Sequence, residues 1–344
     1  MNVVKRQKNP SLFIGFLIFF LALTIIASVG IGPADIPIST TLSLIINKIL
    51  KNTSNAIAQG ETSFEVIIFY LRIPRAIQGA FVGASLAVSG VVIQSLFKNP
   101  MADPFVIGIS SGAALGASIA ILLGVTGLWT LPALAFAGAS LATFTVYRIV
   151  KTGSGMVTET LLLSGIAVAY FLSSIVSFLL YISGEALHQI LFWLMGGLWG
   201  SSWTKILVIA PTFSIVFLVL FYFSRDLNAL LLGEEPAKHL GIDVELIKKI
   251  ILVATSLLAG VAVAFTGTIG FVGLIIPHIT RILVGPDHRI LLPSSALIGA
   301  SFLVWSDTLA RTIIAPAEIP VGVVTSFFGA PFFLYLLQSK RRSI

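Results

Sequence analysis

Residues 225–249 read RDLNALLLGEEPAKHLGIDVELIKK, and nine of the chain's 35 charged residues (21 basic plus 14 acidic) fall within these 25 positions. The runs on either side, 203–223 and 250–266, are almost wholly apolar. An apolar run of about 20 residues crosses the hydrocarbon of a bilayer as a helix. The charged stretch is therefore a water-exposed segment suspended between two spans, and the fold follows from placing the other spans around it.

Composition points the same way over the full 344 residues: 57% are hydrophobic and 10% charged, too few polar groups to wet the surface of a soluble domain. The chain reads as an all-α integral membrane protein. Apolar runs near 12–30, 74–95, 105–124, 130–149, 160–182, 203–223, 247–266, 268–284, 291–310 and 319–338 predict about ten transmembrane helices. The first run shows no small-residue cleavage site and is long enough to span, so it reads as a helix rather than a cleaved signal. With both termini in the cytoplasm, 15 of the 21 basic residues lie inside, as the positive-inside rule requires, and 225–249 becomes a cytoplasmic loop. The expected location is a plasma or inner membrane. The net charge of +7 is spread over span ends and not gathered on a face, which favours a bilayer surface over nucleic acid.

The chain reads as a single transmembrane domain of two halves, about 1–200 and 201–344, with the loop near the start of the second. Gly83, Gly90, Pro100 and Gly108 recur as Gly260, Gly267, Pro277 and Gly285, each 177 positions later (260 − 83). Since the second span runs inward and the seventh outward, these matches predict an inverted internal repeat, a construction used by transporters. Gly79 with Gly83, and Gly196 with Gly200, are four residues apart; as helical pairs they would let backbones approach closely, within the chain or between copies.

Catalytic chemistry is missing from the pattern. There are no cysteines, which removes thiolate metal sites and cysteine nucleophiles. GTIGFVG at 267–273 has neither the spacing nor the lysine of a phosphate-binding loop, so the chain is not expected to hydrolyse nucleotide by that route. Glu159, Asp307 and Glu318 lie near span ends, His278 follows Pro277, and no zinc-ligand or nucleophile–base spacing occurs. No catalytic residue, metal site or bound cofactor is expected, and energy for transport must come from a partner or an ion gradient.

Five motifs in order carry a resemblance: LRIPR at 71–75, GASLAVSGVVIQSLFKNPMADPFVIGISSGA at 83–113, GEEPAKHLGI at 233–242, GTIGFVGLIIPHITRILVGPDHR at 267–289 and EIPVGVVTSFFGAPFFLYLL at 318–337. Together they resemble the permease subunit of the iron-siderophore, haem and cobalamin (FecCD-type) ABC importers. The resemblance implies the type II importer permease fold, a homodimer, two cytoplasmic ATPase subunits that bind the ATP and Mg, and an external substrate-binding protein. It also implies that 225–249 forms coupling helices seated in the ATPase, with Leu232, Gly233, Glu234, Glu235, Ala237, Lys238, Leu240 and Gly241 at the contact. Arg72, Arg75 and Arg311 match positions that meet acidic residues of the binding protein. An intrachain pair of Arg311 with Asp307, one helical turn earlier, is the alternative. The path is implied to run along 158–184, where Ser164, Ser173, Ser174 and Ser177 offer hydroxyls without charge. These serines can equally bond their own helix. Residues 152–158 are implied to lie near the inner mouth. The cargo is expected to be a metal chelate, with an oxyanion such as molybdate, or an ion-coupled secondary carrier, as alternatives.

Overall fold

The structure is a computed structural model that describes residues 9–34, 36–49, 63–152 and 155–341. Its helices are α1 (Pro10–Gly30), α2 (Ile38–Ile49), α3 (Ser63–Val66), α4 (Ile73–Leu96), α5 (Ile109–Leu122), α6 (Thr130–Val150), α7 (Thr158–Ile182), α8 (Leu187–Met195), α9 (Trp203–Tyr222), α10 (Ser224–Leu232), α11 (Glu234–His239), α12 (Val244–Thr266), α13 (Val272–Val284), α14 (His288–Ala310) and α15 (Val321–Arg341). Among the described residues seven helices are long and apolar enough to cross a bilayer, with Ser63–Leu96 counted as one, and three shorter apolar helices bring the number to the ten expected spans. Residues 151–152 and 155–156 form a small antiparallel pairing before α7.

α3 runs into α4 through a π-helical turn, Ile67–Arg72. Pro74 has no N–H to give to the preceding turn, and the wider turn absorbs this: Ile73 N donates to Ile68 O, five residues back. The short spans have their own causes. α5 has 14 residues and α13 has 13, so at 1.5 Å per residue they reach about 21 and 20 Å, less than the hydrocarbon thickness. The sequence places their starts too early. Before α5 stands a 3-10 turn, Pro104–Ile107, ended by Gly108 at φ +85°; before α13 stands an irregular stretch, with Phe271 itself left-handed at φ +68°.

Non-helical backbone at this depth must be satisfied by protein. Gly197 N donates to Thr266 O at 2.7 Å, Gly322 N to Gly196 O at 3.4 Å, and the Thr268 hydroxyl to Leu194 O. The breaks before α9, α13 and α15 thus satisfy one another. Gly196 and Gly200 belong to this irregular region, both at positive φ after α8 ends, so they are not a pair on one helical face.

α4 occupies the centre. Over an 18-residue apolar stretch within Ser63–Leu96, 89% of the residues are buried, against 11% over such a stretch of α7, so α7 lies at the periphery. Most of α4's contact is with α14, followed by α12 and α13, while α12 in turn packs on α6. The leading helix of each half therefore lies among helices of the other half. Gly83 packs on the Gly299 backbone and Gly90 on that of Gly273, so close that a methyl at either position would overlap a carbonyl oxygen. Gly79 faces Leu198 and Val304 of the same chain, which makes the Gly79 and Gly83 contact intrachain. The repeat is carried by element order and packing rather than by the fixed offset. Gly90 lies inside α4 whereas Gly267 ends α12, and Pro100 lies in a turn whereas Pro277 lies inside α13.

Gly83→Val is expected to force α4 and α14 apart and cost about 1–3 kcal/mol, as over-packing of a tight core does. Gly15→Val on α1, with nothing within 4 Å of the added carbon, is the control. Thermal unfolding of the detergent-solubilised protein should drop for the first variant and stay unchanged for the second.

Candidate functional site

The charged segment forms α10 and α11, joined by Gly233 at φ +134° and closed by Gly241 at φ +80°. Both conformations favour glycine, and together they fold the chain back sharply. Glu234 and Glu235 occupy the first turn of α11, with Lys238 and His239 in the last, which matches its dipole. Asp243 then caps α12 by accepting from Leu246 N at 3.0 Å.

The segment has an inner and an outer side. Leu227, Leu230 and Ala237 are buried against the bundle. Ala237 thus serves packing within the chain and is not a contact surface, and Leu230 is not an outward anchor. Glu234 also turns inward. Its Oε2 accepts from Lys248 Nζ at 2.8 Å and its Oε1 from the Thr158 hydroxyl at 3.4 Å, which ties α11 to α12 and to the start of α7. Facing out are Leu232 and Leu240, 69% and 65% exposed, beside the Lys238–Glu235 pair at 2.8 Å. The Lys238 ammonium holds the Glu235 carboxyl below its usual range.

Sequence reasoning missed a second tether. Asn228 on α10 donates from Nδ2 to Asp287 Oδ1 at 2.8 Å, and its Oδ1 accepts from His288 N at 2.9 Å. Asp287 is held well below the ordinary carboxylate range, first by the Arg289 hydrogen bond, with Asn228 adding to it. The two partners are about 60 positions apart, and neither Asn nor His at these places is unusual in composition; the only signal was that a polar Asn interrupts the apolar face of LNALLL.

At the opposite end of the bundle, Arg72, Arg75 and Arg311 are turned inward. Arg72, 4% exposed, donates to the carbonyls of Val29 at 3.0 Å, Gly30 at 3.3 Å and Ala34 at 2.5 Å, closing the C-terminus of α1. Arg75 makes two-point contacts with both Asp307 and Glu318, at 2.9–3.1 Å. Arg311, 3% exposed, donates to Ser28 O at 2.6 Å and lies 3.7 Å from Asp307 Oδ2. The intrachain alternative is the one realised, and it extends to all three arginines. The three arginines gather at one end of the bundle, where carboxylates and backbone carbonyls of the same chain accept from them.

Two hollows of about 490 and 680 Å³ share Phe105, Ser110, Leu194 and Thr268 and form one groove between α5, α7, α8, α15 and the irregular stretch that leads into α13. Ser173 and Ser177 line it, with the Ser177 hydroxyl donating to Ser173 O at 3.0 Å. Ser174 bonds its own helix at Tyr170 O, and Ser164 is buried elsewhere in α7, so neither lines the groove. The lining combines serine and threonine hydroxyls with aliphatic side chains and two phenylalanine rings, and contains no ionisable group. Such a surface interacts weakly with a large solute. Among the described residues no cluster of metal-ligating side chains occurs.

Residues 20–339 match the FecCD transport family. The cobalamin import system permease protein BtuC of Halobacterium salinarum is 50% identical over 277 residues, 80% of this chain and 74% of that one. The hemin transport system permease protein HmuU of Yersinia pestis is 38% identical over 343 residues, 97% of each. A solved structure described as an inward-facing conformation of a metal-chelate type ABC transporter superposes with a TM-score of 0.82 at 34% identity, covering 95% of this chain and 99% of that one.

Removing Asp307 takes a carboxylate from part-buried Arg75, which keeps Glu318, and from buried Arg311, which keeps Ser28. Asp307→Ala is expected to destabilise the protein by about 3–5 kcal/mol, the cost of breaking a buried ion pair from one side. Glu318→Gln, at the more exposed carboxylate, should cost far less. Chemical unfolding of the two variants, followed by tryptophan fluorescence, checks the order.

Proposed function

Since the chain belongs to the FecCD transport family, a family of multi-pass transport permeases, we propose that it is the membrane-spanning subunit of a binding-protein-dependent ABC importer for a metal chelate of the cobalamin, haem or iron-siderophore type. The observation that carries this reading is the α10–α11 segment. It presents two exposed leucines, Leu232 and Leu240, on a surface otherwise charged, and its inner side is fastened to α12, α7 and α14 by side-chain bonds. An apolar pair on a short helix, with a polar rim, suits insertion into a cleft on a soluble partner.

In this reading the segment is cytoplasmic, as are both termini, and the partner is an ATP-binding subunit. Two such subunits act on a homodimer. ATP drives their closure, the segment moves with them, and the groove between α5, α7, α8 and α15 changes its opening. ATP and Mg stay with the partner, and this chain contributes path and coupling, not catalysis. An external binding protein delivers the chelate, which crosses intact along a lining with no metal ligands. The oxyanion and ion-coupled readings draw no support from the relatives above.

Leu232→Glu combined with Leu240→Glu is expected to abolish co-purification with the ATP-binding subunits and to abolish ATP-driven uptake in proteoliposomes, while the permease remains folded and soluble in detergent. Uptake is measured with cyanocobalamin, haemin and a ferric siderophore offered in turn. Full uptake by the double variant would overturn the docking assignment.

A further inference from the structure

We infer that Asn228 is the positioning residue that carries movement of the α10–α11 segment into the helices around the transport groove, through a polar chain running from α10 to α14, α4 and α13. The inference rests on the coupling role proposed above. The chain starts at Asn228, whose carboxamide bridges Asp287 Oδ1 at 2.8 Å and His288, taking the backbone N–H at 2.9 Å and lying 2.7 Å from Nδ1. The ring sits between the two elements: Nδ1 faces Asn228 Oδ1, and Nε2 lies 2.6 Å from the Ser95 hydroxyl near the end of α4, whose one proton is shared between this contact and Val91 O at 2.9 Å. The next residue toward the start of α4, Gln94, donates from Nε2 to Leu274 O at 3.0 Å and accepts at Oε1 from Arg281 Nη1 at 2.9 Å, both on α13.

Burial makes this chain stiff. His288 and Ser95 are 0% exposed and Gln94 is 2% exposed, so water does not stand in for a lost partner. Any slip of α10 against α14 leaves buried donors and acceptors unpaired, and that penalty opposes relative motion of the elements. The apolar contacts of Leu227 and Leu230 are non-directional and impose no such register. α13 begins at Val272, just beyond Thr268 and Gly270 of the groove lining. A displacement passed to α13 therefore reaches the groove through the stretch that joins them.

The carboxamide is specific to the task. Asp287 needs a donor and His288 needs an acceptor, and Asn supplies both from one short side chain. Asp at 228 would set two carboxylates against each other. Exchange of both residues restores one donor and one acceptor in the same places.

The test uses the assembled transporter in proteoliposomes. The natural chain has no cysteine, so Ser173→Cys and Gly270→Cys can carry nitroxide labels on the α7 side and the α13 side of the groove. The probe is ATP, and the readout is the ATP-driven change in label distance together with ATP hydrolysis. In Asn228→Ala and in Asn228→Asp the ATP-binding subunits stay bound and hydrolyse ATP, but the population that shifts falls by about tenfold. Asn228→Asp combined with Asp287→Asn restores the shift, which a purely structural role for Asn228 would not predict. A full shift in Asn228→Ala, or no rescue by the exchanged pair, overturns the inference alone. Absence of any ATP-driven shift in the parent overturns the coupling reading beneath it.

Discussion

Between helices surrounded by lipid no hydrophobic force favours contact, so cohesion here depends on how closely backbones approach one another. α4 meets this constraint at Gly83 against Gly299 and at Gly90 against Gly273, where even a methyl group would not fit. Because those partners belong to the second half, the central helix of the first half is locked into the second. Each half is completed by the other, and the core of α4, α13 and α14 behaves as one body. The less buried helices, α7 above all, are arranged around it.

Polar side chains link the two ends of that core, for the same physical reason: a donor without a partner at this depth is costly. At one end Arg75 and Arg311 converge on Asp307 of α14, and Arg72 closes α1. At the other, Asn228, His288, Ser95, Gln94 and Arg281 link α10 to the same helices. A wet segment that is hung on such a core moves it as a unit or not at all. That property suits a device that receives work from outside the membrane.

The spans were legible in the sequence because hydropathy over 20 residues is a strong signal, and so was the turn chemistry of Gly233 and Gly241. Less legible were α5 and α13, since Gly108 and Phe271 start them later than apolar content suggests. The direction of a side chain was not legible at all. LRIPR marks Arg72 and Arg75, yet their partners, Val29 and Asp307, lie about 40 and 230 positions away. Ser173 and Ser177 were found on the groove, but Ser164 and Ser174, equally polar in sequence, face elsewhere. Asn228 and His288 went unnoticed because hydrogen bonds between distant polar residues leave no periodicity to detect.

The central claim is that this chain moves its cargo only when a bound ATPase drives α10 and α11. Uptake by proteoliposomes containing the permease, with and without its ATP-binding subunits and with ATP or a non-hydrolysable analogue, tests it most directly. The account predicts accumulation against a gradient only with both subunits and hydrolysable ATP. Accumulation by the permease alone, driven by a proton or sodium gradient, would contradict it.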